Sequence, residues 1–285
     1  MIRSIQNSFL NINLSMIRID SVMFVSSLTL IFAGLIILAS ASISVADNST
    51  GDPFYYVTRQ AIAVIIGALA ASICLFIPMS FWRKSGPLML FTAFVLLTIV
   101  IIPGFGHTAN GSTRWIRLGI INIQASEVTR LCITIYLAGY LVRHNKSLGQ
   151  QFTSFVKPVL VLLICCALLL MEPDFGAAFV LTVTAFSMMF VAGARWRDVF
   201  FFVGLGGVAS VALILSRQYR FERLIGFLDP WADPTNKGYQ LTQSLIAIGR
   251  GEWFGVGLGE SVQKLFYLPD AHTDFVFAVF AEEFG

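Results

Sequence analysis

The chain has 285 residues, 56% of them hydrophobic and 12% charged, with a net charge of +3 and a mean hydropathy of +0.78. Soluble domains average about 25% charged residues, so this composition excludes an ordinary globular protein. The modest positive charge gives no case for nucleic-acid binding, and the long apolar blocks point to a membrane protein.

A membrane span needs roughly 20 apolar residues. The first candidate, 22–41, is longer than the ~7–15-residue core of a signal peptide and reads as an uncleaved span. The next are 57–78, 87–103, 121–142, 156–172, 175–194 and 199–215, with Pro53, Pro78, Pro87, Pro103, Pro158 and Pro173 near their boundaries. A polar stretch from Ser216 to His272 follows, and an eighth apolar segment begins near Asp274. The twelve residues from Asp274 to Gly285 would cover only about 18 Å of helix against a core of about 30 Å. The predicted fold is therefore an all-α, polytopic helix bundle in the membrane, with seven full spans, the start of an eighth and a large outer loop after span seven. It reads as one domain over 1–285, with 216–272 as the large loop within it. Cys74, Cys132, Cys165 and Cys166 all fall inside apolar blocks, without metal-ligand spacing, and read as small buried hydrophobes.

Basic residues orient the chain. With a cytoplasmic N-terminus, the inner segments hold Arg3, Arg18, Arg83, Lys84, Arg143, Lys146, Lys157, Arg195 and Arg197, whereas the outer short loops hold Arg59, Arg114 and Arg117. The loops after spans three and seven then face outward, and both carry unusual polar residues.

Ionisable groups inside or at the ends of spans are expensive and are functional candidates by default. Around span four these are Arg114, Trp115 and Arg117, then Glu127 and Arg130, which share a helix face three residues apart. The pair reads either as a structural salt bridge holding span four or as a charged floor for an anionic substrate, with Trp115 as a substrate contact or an interfacial aromatic. Glu172-Pro173-Asp174 forms a tight turn whose acids read as exposed turn residues, Asp174 alternatively lining a cavity that opens outward. In the long loop, Gln243, Arg250 and Lys264 are candidate substrate contacts, the last two as cationic donors to phosphate. Its glycines lack the strand–turn–helix context of a nucleotide site. In Tyr267-Leu-Pro-Asp-Ala-His-Thr-Asp-Phe275, Asp270 or Thr273 is expected to cap the helix after Pro269, with Asp274 in its first turn. Asp274 then either complements the helix dipole or acts as a general base, with His272 beside it.

Several long motifs in order carry a resemblance: Gly111-Ser-Thr-Arg-Trp-Ile116, Gln124-Ala-Ser-Glu-Val-Thr-Arg130, Glu172-Pro-Asp-Phe-Gly176, Gly238-Tyr-Gln-Leu-Thr-Gln-Ser244, Gly255-Val-Gly-Leu-Gly-Glu-Ser-Val-Gln-Lys-Leu265 and the Tyr267–Phe275 stretch. From about Asp20 to Gly285 the chain resembles the SEDS family (shape, elongation, division, sporulation), and within it the FtsW branch. The resemblance implies a peptidoglycan glycosyltransferase of the bacterial inner membrane that polymerises lipid II at the division septum. It places the catalytic aspartate at Asp274, the functional Arg-Trp pair at Arg114 and Trp115, and the family's Glu-x-x-Lys at Glu127 and Arg130. Here arginine replaces lysine, Glu172 stands for the usual glutamine, and Ala125 for a proline. The family has about ten spans, so a C-terminally truncated domain is the expectation. It also implies a class B penicillin-binding transpeptidase and other divisome membrane proteins as partners.

In the expected reaction Arg114, Arg250 or Lys264 neutralises the pyrophosphate leaving group of the donor lipid. Asp274 takes the proton of the acceptor hydroxyl in a single displacement with inversion. A divalent cation, Mg2+ or Mn2+, is conceivable at the pyrophosphate, but no convincing ligand set is visible, and no other cofactor is expected. Two readings from other classes stand beside this one: a lipid II flippase, and a non-catalytic divisome scaffold.

Overall fold

The computed structural model describes residues 20–102, 106–109, 112–118, 121–216, 218–236 and 238–285. Helices dominate, and the contacts divide the chain into two compact units, residues 1–76 with 213–285, and residues 77–212.

The first unit opens with α1 (Ser21–Thr50) and α2 (Tyr55–Phe76). Asp20 starts α1 by accepting hydrogen bonds from the Val22 and Met23 amides at 2.9 and 3.0 Å, which satisfies donors that have no intrahelical partner. Gly51 ends it in the left-handed region at φ +73, its amide on the Asp47 carbonyl. The helix thus outruns the expected 22–41 block by nine residues, because the polar run after Ala41 stays helical until a residue that tolerates positive φ. After 216 come α9 (Gln218–Leu228), α10 (Tyr239–Gly251), a π-helical turn (Gln263–Tyr267) and α11 (Val276–Phe284). The loop expected over 216–272 is therefore largely helical. Its core is mostly alanine: Ala41, Ala247, Ala271 and Ala278, with Leu268 and Val279. Short side chains let α1, α10 and α11 approach closely, as in membrane helix packing generally.

The second unit contains α3 (Met79–Lys84), α4 (Gly86–Ile101), α5 (Ala125–Leu148), α6 (Phe152–Met171), α7 (Phe175–Val191) and most of α8 (Trp196–Leu215). Leu97, Ile133, Leu137, Phe155, Leu169 and Met189 are among the buried residues of its core. Among the described residues, five helices (α1, α2, α5, α6 and α8) are long and apolar enough to cross a membrane, and α4 and α7 are shorter apolar helices. Together they account for the seven expected spans, and the protein is a multi-pass membrane protein. The apolar α2 has no buried residue.

Between α4 and α5 the chain forms a three-stranded antiparallel sheet, β1 (His107–Ala109), β2 (Ser112–Leu118) and β3 (Ile121–Gln124), in the order β1-β2-β3. Residues 121–124, expected as the start of span four, pair with β2 instead, and the helix begins at Ala125. At the far end of α5, Arg143 donates to the Arg83 carbonyl at 3.1 Å and Arg195 to the Gly149 carbonyl at 2.9 Å. These contacts gather the three expected inner connections at one end of the unit.

The Tyr140 hydroxyl donates to the Ser154 carbonyl at 2.9 Å, both groups being buried. Tyr140→Phe is expected to cost about 1–2 kcal/mol, since it strands a buried acceptor. Thermal unfolding in detergent measures this, and an unchanged midpoint would show that the carbonyl finds another donor.

Candidate functional site

The segment from Tyr267 to Phe275 is held at three points. Leu268 and Ala271 are buried in the alanine-rich core. The Tyr239 hydroxyl, at the start of α10, donates to the Tyr267 carbonyl at 2.7 Å. The Asp270 carbonyl accepts from the Thr273 and Phe275 amides at 3.0 and 3.2 Å, which closes a turn with Asp270 at φ +54.

This turn corrects the expected capping. Neither Asp270 nor Thr273 caps α11 with its side chain; the capping position is Phe275, with no side-chain hydrogen bond to the helix. The turn occupies residues 270–275, so the helix starts at Val276 and Asp274 lies just ahead of it rather than in its first turn. Asp274 is exposed, two residues before a helix start, the positive end of the helix dipole. Two residues before it in the chain, the half-buried His272 ring packs against Tyr56 of α2 at 4.5 Å between centroids. Its Nδ1 is buried without a hydrogen-bond partner among the described residues.

Lys264 is turned inward. It is 7% exposed, and its ammonium donates to Glu283 Oε1 at 2.7 Å and to the Ser40 hydroxyl at 2.9 Å. This geometry does not leave Lys264 facing outward as a phosphate donor; a buried ammonium needs a counter-charge, and Glu283 supplies it. The neighbouring Glu282, fully buried, accepts from the Ser261 hydroxyl and from the Val262 and Gln263 amides at 3.2 and 3.3 Å. Arg250 Nε stands 3.8 Å from Glu282 Oε1, and the Arg250 side chain is about half exposed. Arg250 therefore keeps cationic surface available, while Gln243 on α10 is half-buried. Sequence reasoning missed Glu282, Glu283 and Ser40. Two adjacent carboxylates in an apolar helix were the available signal, because such charges in a membrane segment need partners.

In the second unit, Arg114, Trp115 and Arg117 lie on β2, where Trp115 pairs with Gln124 and is half-buried. The side chains of Arg114 and Arg117 lie outside the described residues. Glu127 and Arg130 form the expected pair in the first turns of α5, with side chains 52% and 36% exposed. The Ser126 and Thr129 hydroxyls flanking them are buried and without hydrogen-bond partners among the described residues. Glu172 and Asp174 are buried, at 2% and 5% exposure, which overturns their reading as exposed turn residues. Asp174 is the N-cap of α7 and accepts from the Ala177 amide at 3.1 Å, so the turn needs its carboxylate inside.

The exposure of the Glu127–Arg130 pair decides between its two readings in a measurable way. Pairs this exposed are worth about 0–1 kcal/mol, so Arg130→Met is expected to shift stability by less than about 1 kcal/mol. A larger loss in thermal unfolding would make the pair a structural tie of α5.

Among the described residues no group of three or more His, Cys, Asp or Glu side chains is placed to hold a metal ion. The first unit offers a solvent-facing carboxylate just ahead of a helix start, an imidazole two residues before it and an accessible guanidinium on α10. That set suits proton abstraction from a hydroxyl and contact with an anion.

Residues 20–285 match the profile of the FtsW, RodA and SpoVE cell cycle proteins. The chain is 52% identical over 268 residues to the probable peptidoglycan glycosyltransferase FtsW of Thioalkalivibrio sulfidiphilus, covering 94% of this chain and 67% of that protein. The protein of the same name from Alkalilimnicola ehrlichii is 51% identical over 269 residues, with the same coverage. The chain thus spans about two thirds of the length of these curated relatives. Among solved structures, a chain from a peptidoglycan synthase complex that coordinates polymerization and crosslinking aligns with a TM-score of 0.65 at 25% identity. That alignment covers 91% of this chain and 70% of the other. The rod shape determining protein RodA of Thermus thermophilus shares the fold with a TM-score of 0.52 at 24% identity, over 70% of this chain and 61% of that one.

Proposed function

The chain belongs to the FtsW, RodA and SpoVE family of cell cycle proteins, and from that premise we propose that it is a peptidoglycan glycosyltransferase polymerising lipid II during bacterial cell division. The observation that carries this reading is the solvent-facing carboxylate of Asp274 just ahead of an apolar helix. A carboxylate at a membrane edge needs water, a partner or a task. Asp274 has no partner among the described residues, and it faces solvent, where a substrate hydroxyl can reach it.

In the proposed reaction the acceptor sugar's 4-hydroxyl attacks the anomeric carbon of the donor. The bond to the pyrophosphate breaks as the new glycosidic bond forms, and the hydroxyl proton passes to Asp274. Arg250 offers positive charge to the departing pyrophosphate, and Gln243 and His272 contact the substrate. Separately, the resemblance assigns substrate contacts within the second unit to Arg114, Trp115, Glu127 and Arg130, whereas the buried Asp174 caps α7 and is not one of them. The protein is placed by this reading in the bacterial inner membrane at the septum, N-terminus in the cytoplasm and catalytic face in the periplasm. A class B penicillin-binding transpeptidase is its proposed partner, in keeping with the similarity to a chain of a peptidoglycan synthase complex.

The test is reconstitution of the full-length protein in liposomes with labelled lipid II. Glycan strands are the expected product. Labelled lipid crossing the bilayer without strand formation would make the protein a flippase, and neither outcome, together with restored division in depleted cells, would make it a scaffold.

A further inference from the structure

Two consecutive carboxylates at the end of α11, Glu282 and Glu283, are almost wholly buried, and each faces a separate set of partners. Glu283, the Lys264 ammonium and the Ser40 hydroxyl close a ring of hydrogen bonds. Ser40 donates to Glu283 Oε1 at 2.6 Å and accepts from Lys264 at 2.9 Å, while Lys264 donates to the same Oε1 at 2.7 Å. Ser261 links this ring to its neighbour: its hydroxyl donates to Glu282 and accepts from the Lys264 amide at 3.3 Å. The backbone repeats the tie, with the Val256 and Gly257 amides donating to the Glu282 and Glu283 carbonyls at 3.0 Å each.

The placement of these ties matters more than their number. Lys264 precedes the Tyr267–Phe275 segment and Glu283 follows it, so the ion pair closes the stretch 265–282 into a loop with Asp274 near its middle. Ser40 fastens the closure to α1. A short loop closed at both ends loses most of its freedom, and a general base must be held within a fraction of an ångström of its substrate. Burying a charge pair is a poor route to stability, since well-packed apolar residues do as well or better. Its directional hydrogen bonds do, however, specify one arrangement.

We propose that Lys264, Glu283 and Ser40 form a positioning clamp for Asp274, a role that rests on the glycosyltransferase reading above. Lys264 and Glu283 act through the loop they close and do not touch the substrate.

The test uses full-length protein in detergent micelles, with polymerisation followed against lipid II concentration and rates expressed per folded molecule. Glu283→Gln and Lys264→Met are each expected to lower kcat about tenfold or more while KM for lipid II stays within about twofold. Ser40→Ala, which leaves the charges paired, is expected to lower kcat about threefold and covers the case in which the charge variants fail to fold. The proposal is overturned if the folded variants keep kcat within twofold, so that only stability suffers. It is equally overturned if Lys264→Met raises KM with kcat unchanged, which would make Lys264 a substrate ligand. Asp274→Asn in the same assay separates the two readings: an active Asp274→Asn removes the catalytic assignment, whereas an inactive one beside normal clamp variants removes only the clamp.

Discussion

Asp274→Asn is expected to lower the rate of lipid II polymerisation by about 10²–10⁴-fold, the range that a positioned general base contributes. At 1.36 kcal/mol per factor of ten, this is about 3–5 kcal/mol of barrier. The substitution keeps the shape of the side chain and removes only its ability to take a proton. Stability should stay within about 0.5 kcal/mol, because Asp274 is exposed and its carboxylate has no partner among the described residues. The combination is diagnostic. A protein that unfolds at the wild-type temperature and binds lipid II, yet makes no strands, is what the base assignment requires. Asp274→Glu refines the result: it keeps the proton acceptor but displaces it by one methylene, and a misplacement of about 1 Å costs about 10²-fold. Strand formation by Asp274→Asn at the wild-type rate would sink the assignment.

Much of this architecture is legible in the sequence because membrane insertion leaves few options. Apolar blocks of spanning length have to be helices, and each of the seven expected blocks contains an apolar helix in the structure. What escapes the hydropathy pattern is structure at the bilayer edge. Residues 121–124 are apolar enough to be merged with the following helix, yet they pair as β3 with β2. The choice is made by antiparallel pairing with β2, which ends at Leu118, and hydropathy does not register strand pairing. The end of α1 at Thr50 escapes for a different reason: a polar helical extension carries no apolar signal, and only the Gly51 cap marks its end.

The site shows the same division. Asp274, His272 and Arg250 are conspicuous because charges are rare in this chain. Lys264 is equally conspicuous and its environment is not, since Glu283 lies 19 residues away and Ser40 lies on another helix. A lysine seen only in sequence reads as a free cation. Once two hydrogen-bond partners and a buried setting are known, its charge belongs to the scaffold. The buried Asp174 is a parallel case, where a turn acid proves to be a helix cap.

The second large effect is expected at a residue without a side chain. Gly251 ends α10 where it meets α11, and a Cβ there would stand 1.9 Å from the Ala281 carbonyl oxygen and 3.0 Å from the Glu282 Cα. Both obstacles are backbone, so no rotamer change relieves them and the two helices would have to part. They would part at the residues whose carboxylates and carbonyls hold the loop around Asp274. Gly→Ala ordinarily favours a helix by up to about 1 kcal/mol, whereas overpacking a fixed interface costs about 1–3 kcal/mol or more. The steric cost wins at Gly251 because the overlap is with main chain. Two residues earlier on the same helix, Gly249 has nothing within 4 Å of its would-be Cβ, and there only the propensity gain remains. Thermal unfolding of purified protein should therefore place Gly251→Ala below wild type by about 3 kcal/mol and Gly249→Ala level with it or up to about 1 kcal/mol above. If Gly251→Ala proves as stable as Gly249→Ala, then α10 and α11 are not in backbone contact, and the seat described for Asp274 is wrong.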